Sequence, residues 1–170
     1  MASYNLYDGS VVYFTNGLTM LAHILKKAEE HCKANNIPEK DIIEASLAPD
    51  MKPLAFQIQT ASNTSKNAIV RLINGTAHPM DDNEATFEEL QQRIAKTQDI
   101  LKSVKKEDFD LDVEAEIKVP MGPREVDFTK RGYVQTFAVP NFYFHAVTAY
   151  AILRSKGVTL GKLDFLRPGQ

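Results

Sequence analysis

Cysteine is nearly missing from this sequence of 170 residues, in which Cys32 is the only one. A single thiol can form neither an internal disulfide nor a multi-cysteine zinc or iron–sulfur site. A reducing compartment fits this composition best, so we predict a cytoplasmic location. The first residues also lack the basic and continuous apolar segments of a signal peptide. No apolar run reaches the length needed to cross a membrane, so we predict a soluble protein with no membrane partner.

An excess of positive charge is also missing. The 20 basic residues are scattered among 22 acidic ones, and the formal net charge is -2. Proteins that bind nucleic acid usually carry a clustered basic surface, so we predict no nucleic-acid partner. The length lies within the usual size of one domain, and 44% hydrophobic residues suffice for a substantial core. We therefore predict a single domain over residues 1–170.

Several catalytic motifs are absent as well. The sequence contains no HExxH, no glycine-rich phosphate loop, no GxSxG and no Glu-x-x-His pair of the di-iron bundle type. Nucleotide hydrolysis and redox iron chemistry are therefore poor interpretations of this chain.

The sequence does contain apolar residues at helical spacing. Between positions 7 and 32 they alternate at intervals of four and three, which predicts one face of a long first helix. A second stripe predicts a helix from about Pro53 to Gly75, with Gly75 as the residue that follows its end. A third helix opens with Thr86 and Glu89 at the spacing of a capping box.

The period then changes to that of a strand. The segments "EAEIKV" and "REVDF" flank the turn "PMGP", which predicts a short β-hairpin. A fourth long helix begins between Thr129 and Val134 and ends at Gly157, and Pro140 should kink it or mark its effective start. Four long apolar-striped helices with short connections predict an all-α four-helix bundle, with the hairpin between the third and fourth long helices.

Three polar side chains interrupt the apolar fourth helix. Asn141, His145 and Thr148 recur at i, i+4 and i+7, so they share one face that should be buried. One interpretation is a site in the bundle core, where His145 is a metal ligand or a general base. The other is that His145 is structural and hydrogen-bonds to Asn141 or Thr148.

Further residues are candidates for the lining of such a pocket. Gln57 and Gln59 lie early in the second helix, and we expect only one of them to face inwards. If Gln59 does, it could reach towards the fourth helix; the alternative is an exposed or interfacial glutamine. Tyr13 and Tyr143 could also line the pocket, although tyrosine at helical spacing is usually a core or interface residue.

Five segments, in order from end to end, carry a resemblance to a known family. They are "LYDGSVVYF", "LAPDMKPLAFQIQTASN", "DNEATFEELQQRIAKT", "REVDFTKRGYVQTFAVPNFYFHAVTAYAILRSKGV" and "LGKLDFL". Through them the chain resembles an uncharacterised family of unknown function in the DinB/YfiT-like superfamily. The resemblance implies a DinB-like four-helix bundle, commonly dimeric, with a pocket between the helices at one end. We therefore expect a homodimer that could hold a small-molecule ligand.

The resemblance also implies a way of binding metal. Many members of the superfamily hold a divalent metal with three histidines, and some relatives use it for thiol-dependent transferase or isomerase chemistry. His145 matches the second histidine of a pair on the last long helix, Asn141 stands at its partner position, and the second-helix position falls near Gln59. Amide oxygens replace imidazole poorly on zinc or nickel, although harder cations tolerate them. The cofactor is therefore unknown, either a divalent metal on a degenerate ligand set or none.

Two functions stay open for the sequence. The first is a small-molecule enzyme with a polar pocket at one end of the bundle, in which His145 acts as metal ligand or proton shuttle. The second is a non-catalytic, homodimeric ligand-binding or interaction module that keeps the pocket with a degenerate metal site. Fold alone does not decide between them. We expect dimerisation to use outward apolar residues of two helices.

Overall fold

A computed structural model gives the positions of residues 5–109 and 112–169. Four long helices dominate the chain, and a two-stranded antiparallel hairpin lies between the third and the fourth of them. The predicted helical bundle with its hairpin is therefore confirmed. The elements are α1 (Leu6–Asn35), α2 (Glu39–Ile43), α3 (Leu54–Ile73), α4 (Phe87–Ser103), β1 (Glu116–Met121), β2 (Arg124–Thr129), α5 (Lys130–Tyr133), α6 (Val139–Ser155) and α7 (Lys162–Leu166).

The domain predicted over 1–170 includes residues 1–4, 110, 111 and 170, which lie outside the described residues. Among the described ones, no helix combines the length and the apolar character needed to span a membrane.

The long helices begin and end at residues that satisfy their terminal backbone groups. The predicted capping box of α4 is confirmed, since the Thr86 side chain accepts from the backbone N–H of Glu89 and the Glu89 side chain accepts in return. At the end of α3 the sequence predicted Gly75, and this was wrong. The left-handed residue is Asn74, with φ 52°. Asparagine adopts this conformation more readily than most residues because its short side chain can hydrogen-bond locally.

The packing order of the long helices determines which faces are buried. Both α1 and α3 pack against α4 and against α6, and α1 and α3 also contact each other across the centre of the bundle. As a result, α3 is covered on two sides. One contact is especially close: a Cβ placed on Gly17 of α1 would lie 2.2 Å from the Phe142 ring of α6. The missing side chain therefore lets α1 and α6 approach each other.

The hairpin leads directly into the last helical column. Val119 pairs with Val126 and is buried. After β2, α5 continues through a π-helical turn, Val134–Ala138, into α6. Pro140 lies in the first turn of α6, as predicted for a proline that marks the effective start. The wider π turn precedes the position where the proline lacks an N–H, so no regular α-helical bond is lost from the middle of α6.

Candidate functional site

His145 contacts Gln57 across the seam between α6 and α3. The imidazole Nδ1 lies 2.7 Å from Oε1 of Gln57. The same amide donates from Nε2 to the backbone carbonyl of Lys52, at 2.9 Å. Because a carbonyl can only accept, this second bond fixes the amide orientation, and Oε1 must accept from His145. Neutral His145 therefore carries its hydrogen on Nδ1 and its lone pair on Nε2.

Aromatic rings surround the imidazole. Its centroid lies 6.0 Å from that of Phe56 and 5.2 Å from that of Phe144, both in edge-on geometry. Burial lowers the pKa of His145 below its ordinary value of 6.5, because the cation is poorly solvated there. Nε2 makes no hydrogen bond to any described residue, and it is not among the atoms sealed from solvent. The ring thus offers one free proton acceptor at neutral pH.

Asn141 and Thr148, the other members of the predicted stripe, have partners of their own. Asn141 donates from Nδ2 to the Thr64 hydroxyl of α3, at 2.9 Å, and the Thr148 hydroxyl donates to the carbonyl of Phe144 in its own helix, at 2.7 Å. The expectation that a structural His145 would bond to Asn141 or Thr148 was wrong. Asn141 and His145, one turn apart on α6, lie side by side and face α3, so each finds its partner across the seam, whereas Thr148 bonds within its own helix.

Gln59 does not reach α6, and this expectation was wrong as well. Its Nε2 donates to the Glu84 carboxylate at 3.0 Å, on the side of α3 that faces α4. Residues two apart on a helix point about 200° away from each other, so Gln57 faces α6 when Gln59 faces α4. Both side chains are buried, although we expected only one, because α3 is covered on both sides.

The three predicted metal ligands do not converge. Gln59 lies on the opposite side of α3 from His145, and Asn141 directs its amide N–H, which cannot bind a cation, at Thr64. Gln57, which stands opposite His145, already uses both ends of its amide. Within residues 5–109 and 112–169, no group of three or more His, Cys, Asp or Glu side chains is arranged to hold a metal ion. These residues do not fit a three-histidine metal site, and we derive no chemistry through a metal.

Tyr13 and Tyr143 lie together, but on another side of α6. The Tyr143 hydroxyl donates to the backbone carbonyl of Tyr13 at 3.1 Å, across the groove between α1 and α6. Burial raises the pKa of the Tyr143 phenol. The structure thus divides the predicted pocket into a polar seam on the α3 side of α6 and a tyrosine-lined groove on the α1 side.

A buried arginine is the main polar feature that the sequence interpretation missed. The Arg93 side chain is 1% exposed, and its guanidinium donates to Glu84 at 2.7 Å and to Asp82 at 2.6 Å. It also donates to Asn63 on α3. Arg93 therefore links the connection between α3 and α4, residues 74–86, to both helices. The available signal was its place beside Ile94, on the edge of the apolar stripe of α4.

Comparison with known proteins gives a family and a fold. The family model described as "Domain of unknown function (DUF1993)" matches residues 6–166. The chain is also similar to the crystal structure of a DinB family member protein from Shewanella denitrificans. The two are 36% identical, with a TM-score of 0.88, over 95% of this chain and 91% of the other. Among curated proteins there is no significant match.

Proposed function

Because the chain belongs to the DUF1993 family, whose fold is DinB-like and whose description names no activity, we propose a function from the α6 surface itself. The protein acts as a homodimeric interaction module that pairs through an uncharged face of α6 and needs no metal. The contacts of His145, Asn141 and Gln59 support the claim that no metal is needed, since each side chain is bound to a different partner and the three do not converge.

The proposal rests on the absence of charged residues from the π-helical turn and from nearly all of α6. From Tyr133 to Leu153 the sequence contains no Asp, Glu, Lys or Arg. Yet α6 lies at the surface, with Phe144 61% and Val147 50% exposed. A helix that faces water usually carries charged residues on its outer face. Depletion of charge together with exposed aromatic side chains is typical of the centre of a protein interface.

The neighbouring helix extends this face. Phe56 of α3 is 37% exposed and contacts the His145 ring, so apolar surface continues across the seam from α6 to α3. An uncharged apolar face is complementary to another copy of itself, which is the condition for a two-fold symmetric interface. Three such side chains expose on the order of a few hundred Å², so they would form the centre of an interface whose rim is polar.

The oligomeric state of Phe144→Glu tests the proposal. We expect the wild-type protein to be dimeric in light scattering at tens of micromolar, and the variant to be monomeric with an unchanged circular dichroism spectrum. Leu163→Glu is the matched control, because Leu163 is 64% exposed on α7 and lies outside the proposed interface. The control should remain dimeric. A strictly monomeric wild-type protein would rule out the homodimeric interaction module.

A second candidate function rests on the tautomer of His145. With Nδ1–H held by Gln57, Nε2 can take a proton from a bound acid, and Oε1 of Gln57 remains a hydrogen-bond acceptor for the resulting cation. In this version the seam serves a small-molecule enzyme and His145 is its proton shuttle. It requires that Nε2 stay accessible when the protein is assembled.

Diethyl pyrocarbonate, which acylates neutral imidazole, separates the two candidates. If the α6 faces pair, mass spectrometry should find His145 protected in the wild-type dimer and modified in monomeric Val147→Glu, a variant of the same face that keeps the Phe144 ring beside the imidazole. Equal and rapid modification in both would favour the proton shuttle. Protection of His145 in the wild type but not in the variant would rule out the proton shuttle.

A further inference from the structure

The groove between α1 and α6 contains two recesses that share Tyr13 and Tyr143. The first has a volume of about 370 Å³, and the second, of about 410 Å³, extends towards the end of α7. The first is lined by residues that include Gly9, Tyr13, Val134, Val139, Pro140 and Tyr143. The second is lined by residues that include Asn16, Thr19, Met20, Phe165, Leu166 and Arg167. Each volume lies near the lower end of the range for small-molecule sites.

The first recess follows from the local backbone. The π-helical turn at Val134–Ala138 widens the column just before α6, and Pro140 in the next turn is exposed. The bond from the Tyr143 hydroxyl to the carbonyl of Tyr13 fixes the phenol at the junction of the two recesses. The Tyr13 side chain is 50% exposed. Single-turn π segments inside helices often occur at functional sites.

The groove between α1 and α6 carries little charge. Of the described residues that line either recess, Arg167 alone carries a formal charge. Its guanidinium makes no hydrogen bond or ion pair to the described part of the chain, whereas its backbone N–H bonds to Leu163. The segment that carries it is anchored on α1, because Asp164 accepts from Lys27 at 2.9 Å and contacts Nε2 of His23 at 2.8 Å. The mainly apolar first recess therefore continues into a more polar one, at which Arg167 is a cation without a partner among the described residues.

We propose that this groove binds a small amphipathic monocarboxylate. The apolar tail lies in the first recess, against Val139 and Pro140, and the carboxylate lies in the second recess, near Arg167. Charge complementarity selects this class, since the lining offers apolar surface, one positive charge and no acidic side chain among the described residues. The site is separate from the α3–α6 seam and does not depend on the proposed dimer.

The test is a titration of the full-length protein with octanoate, followed by two-dimensional amide NMR. We expect saturable shifts at Tyr13, Val139 and Arg167. Arg167→Gln should weaken octanoate binding about threefold, as expected for an exposed ion pair. Octanamide, which has the same tail without the charge, should bind wild type and Arg167→Gln equally. Lys162→Gln, the matched loss of a charge on α7 outside the lining, should leave octanoate binding unchanged.

Two results would overturn the proposal. In the first, octanoate produces no saturable shift at the groove residues. In the second, Arg167→Gln and Lys162→Gln bind octanoate as tightly as wild type, which would mean that the groove does not recognise the carboxylate. Neither result bears on dimerisation, which light scattering measures separately.

Discussion

Nδ1 of His145 lies 2.7 Å from Oε1 of Gln57, and the other end of that amide is bound to the carbonyl of Lys52. The backbone just before α3 therefore determines which nitrogen of a histidine on α6 carries the proton. Two helices and a loop contribute to this arrangement, so it forms only when the bundle is assembled. The consequence is a single unprotonated nitrogen, Nε2, beside an apolar surface.

The first prediction concerns this tautomer. Long-range proton–nitrogen NMR of the imidazoles should show His145 protonated on Nδ1, and Gln57→Leu should abolish the preference because the acceptor is removed. His23 is an internal control of opposite sense, since its Nε2 lies 2.8 Å from the Asp164 carboxylate and should carry the hydrogen. A wild-type His145 protonated on Nε2 would contradict the assignment.

The second prediction concerns stability against pH. Burial lowers the pKa of His145 in the folded protein, so the unfolded chain binds this proton first as the pH falls. The free energy of unfolding should therefore be independent of His145 well above its ordinary pKa of about 6.5 and should decrease as the pH falls below it. One proton gives a slope of at most about 1.4 kcal/mol per pH unit.

Urea unfolding of wild type and His145→Gln at several pH values measures this contribution. The difference between the two proteins isolates His145 from the other histidines. We expect the wild type to lose more stability than the variant between neutral and mildly acidic pH. Parallel curves would show that His145 has the same pKa in both states.

Periodicity explains why the bundle could be predicted from the sequence and the seam could not. The stripe on α1 depends on local spacing, and its members from Val11 to Cys32 are buried as predicted. The choice between Gln57 and Gln59 depends on which helices cover α3, and spacing along one helix does not contain that information. Arg93 was missed for a related reason, because its partners Asp82 and Glu84 belong to a connection that lies over it in space.

The third prediction concerns the close approach of α1 and α6. Gly17→Ala would place a methyl group 2.2 Å from the Phe142 ring, which must shift or push the helices apart. We expect a loss of about 1–3 kcal/mol in the free energy of unfolding, typical of overpacking. In a Phe142→Leu background the same substitution should cost much less, because the clashing ring atoms are gone. An equal cost in both backgrounds would show that the ring is not the obstacle.

The fourth prediction concerns Arg93 and the connection between α3 and α4. Its partner Glu84 is 11% exposed, whereas Asp82 is 50% exposed. The Arg93–Glu84 pair should therefore contribute more to the free energy of unfolding than the Arg93–Asp82 pair. Arg93→Met leaves the Glu84 carboxylate buried without its cation, and breaking a buried pair in this way costs about 3–5 kcal/mol. Lys96→Met, the same change at an exposed position one turn away, should cost less than about 1 kcal/mol.

Hydrogen exchange distinguishes a local from a global effect of losing Arg93. The guanidinium also holds the carbonyl of Asp81, so Arg93→Met should accelerate amide exchange in residues 77–84 more than in the core of α1. Adding Glu84→Gln to Arg93→Met should recover part of the lost stability, because it removes the uncompensated charge. If the double variant is no more stable than Arg93→Met, the cost comes from lost packing of the arginine side chain. The ion pair would then not be what holds the connection against α3 and α4.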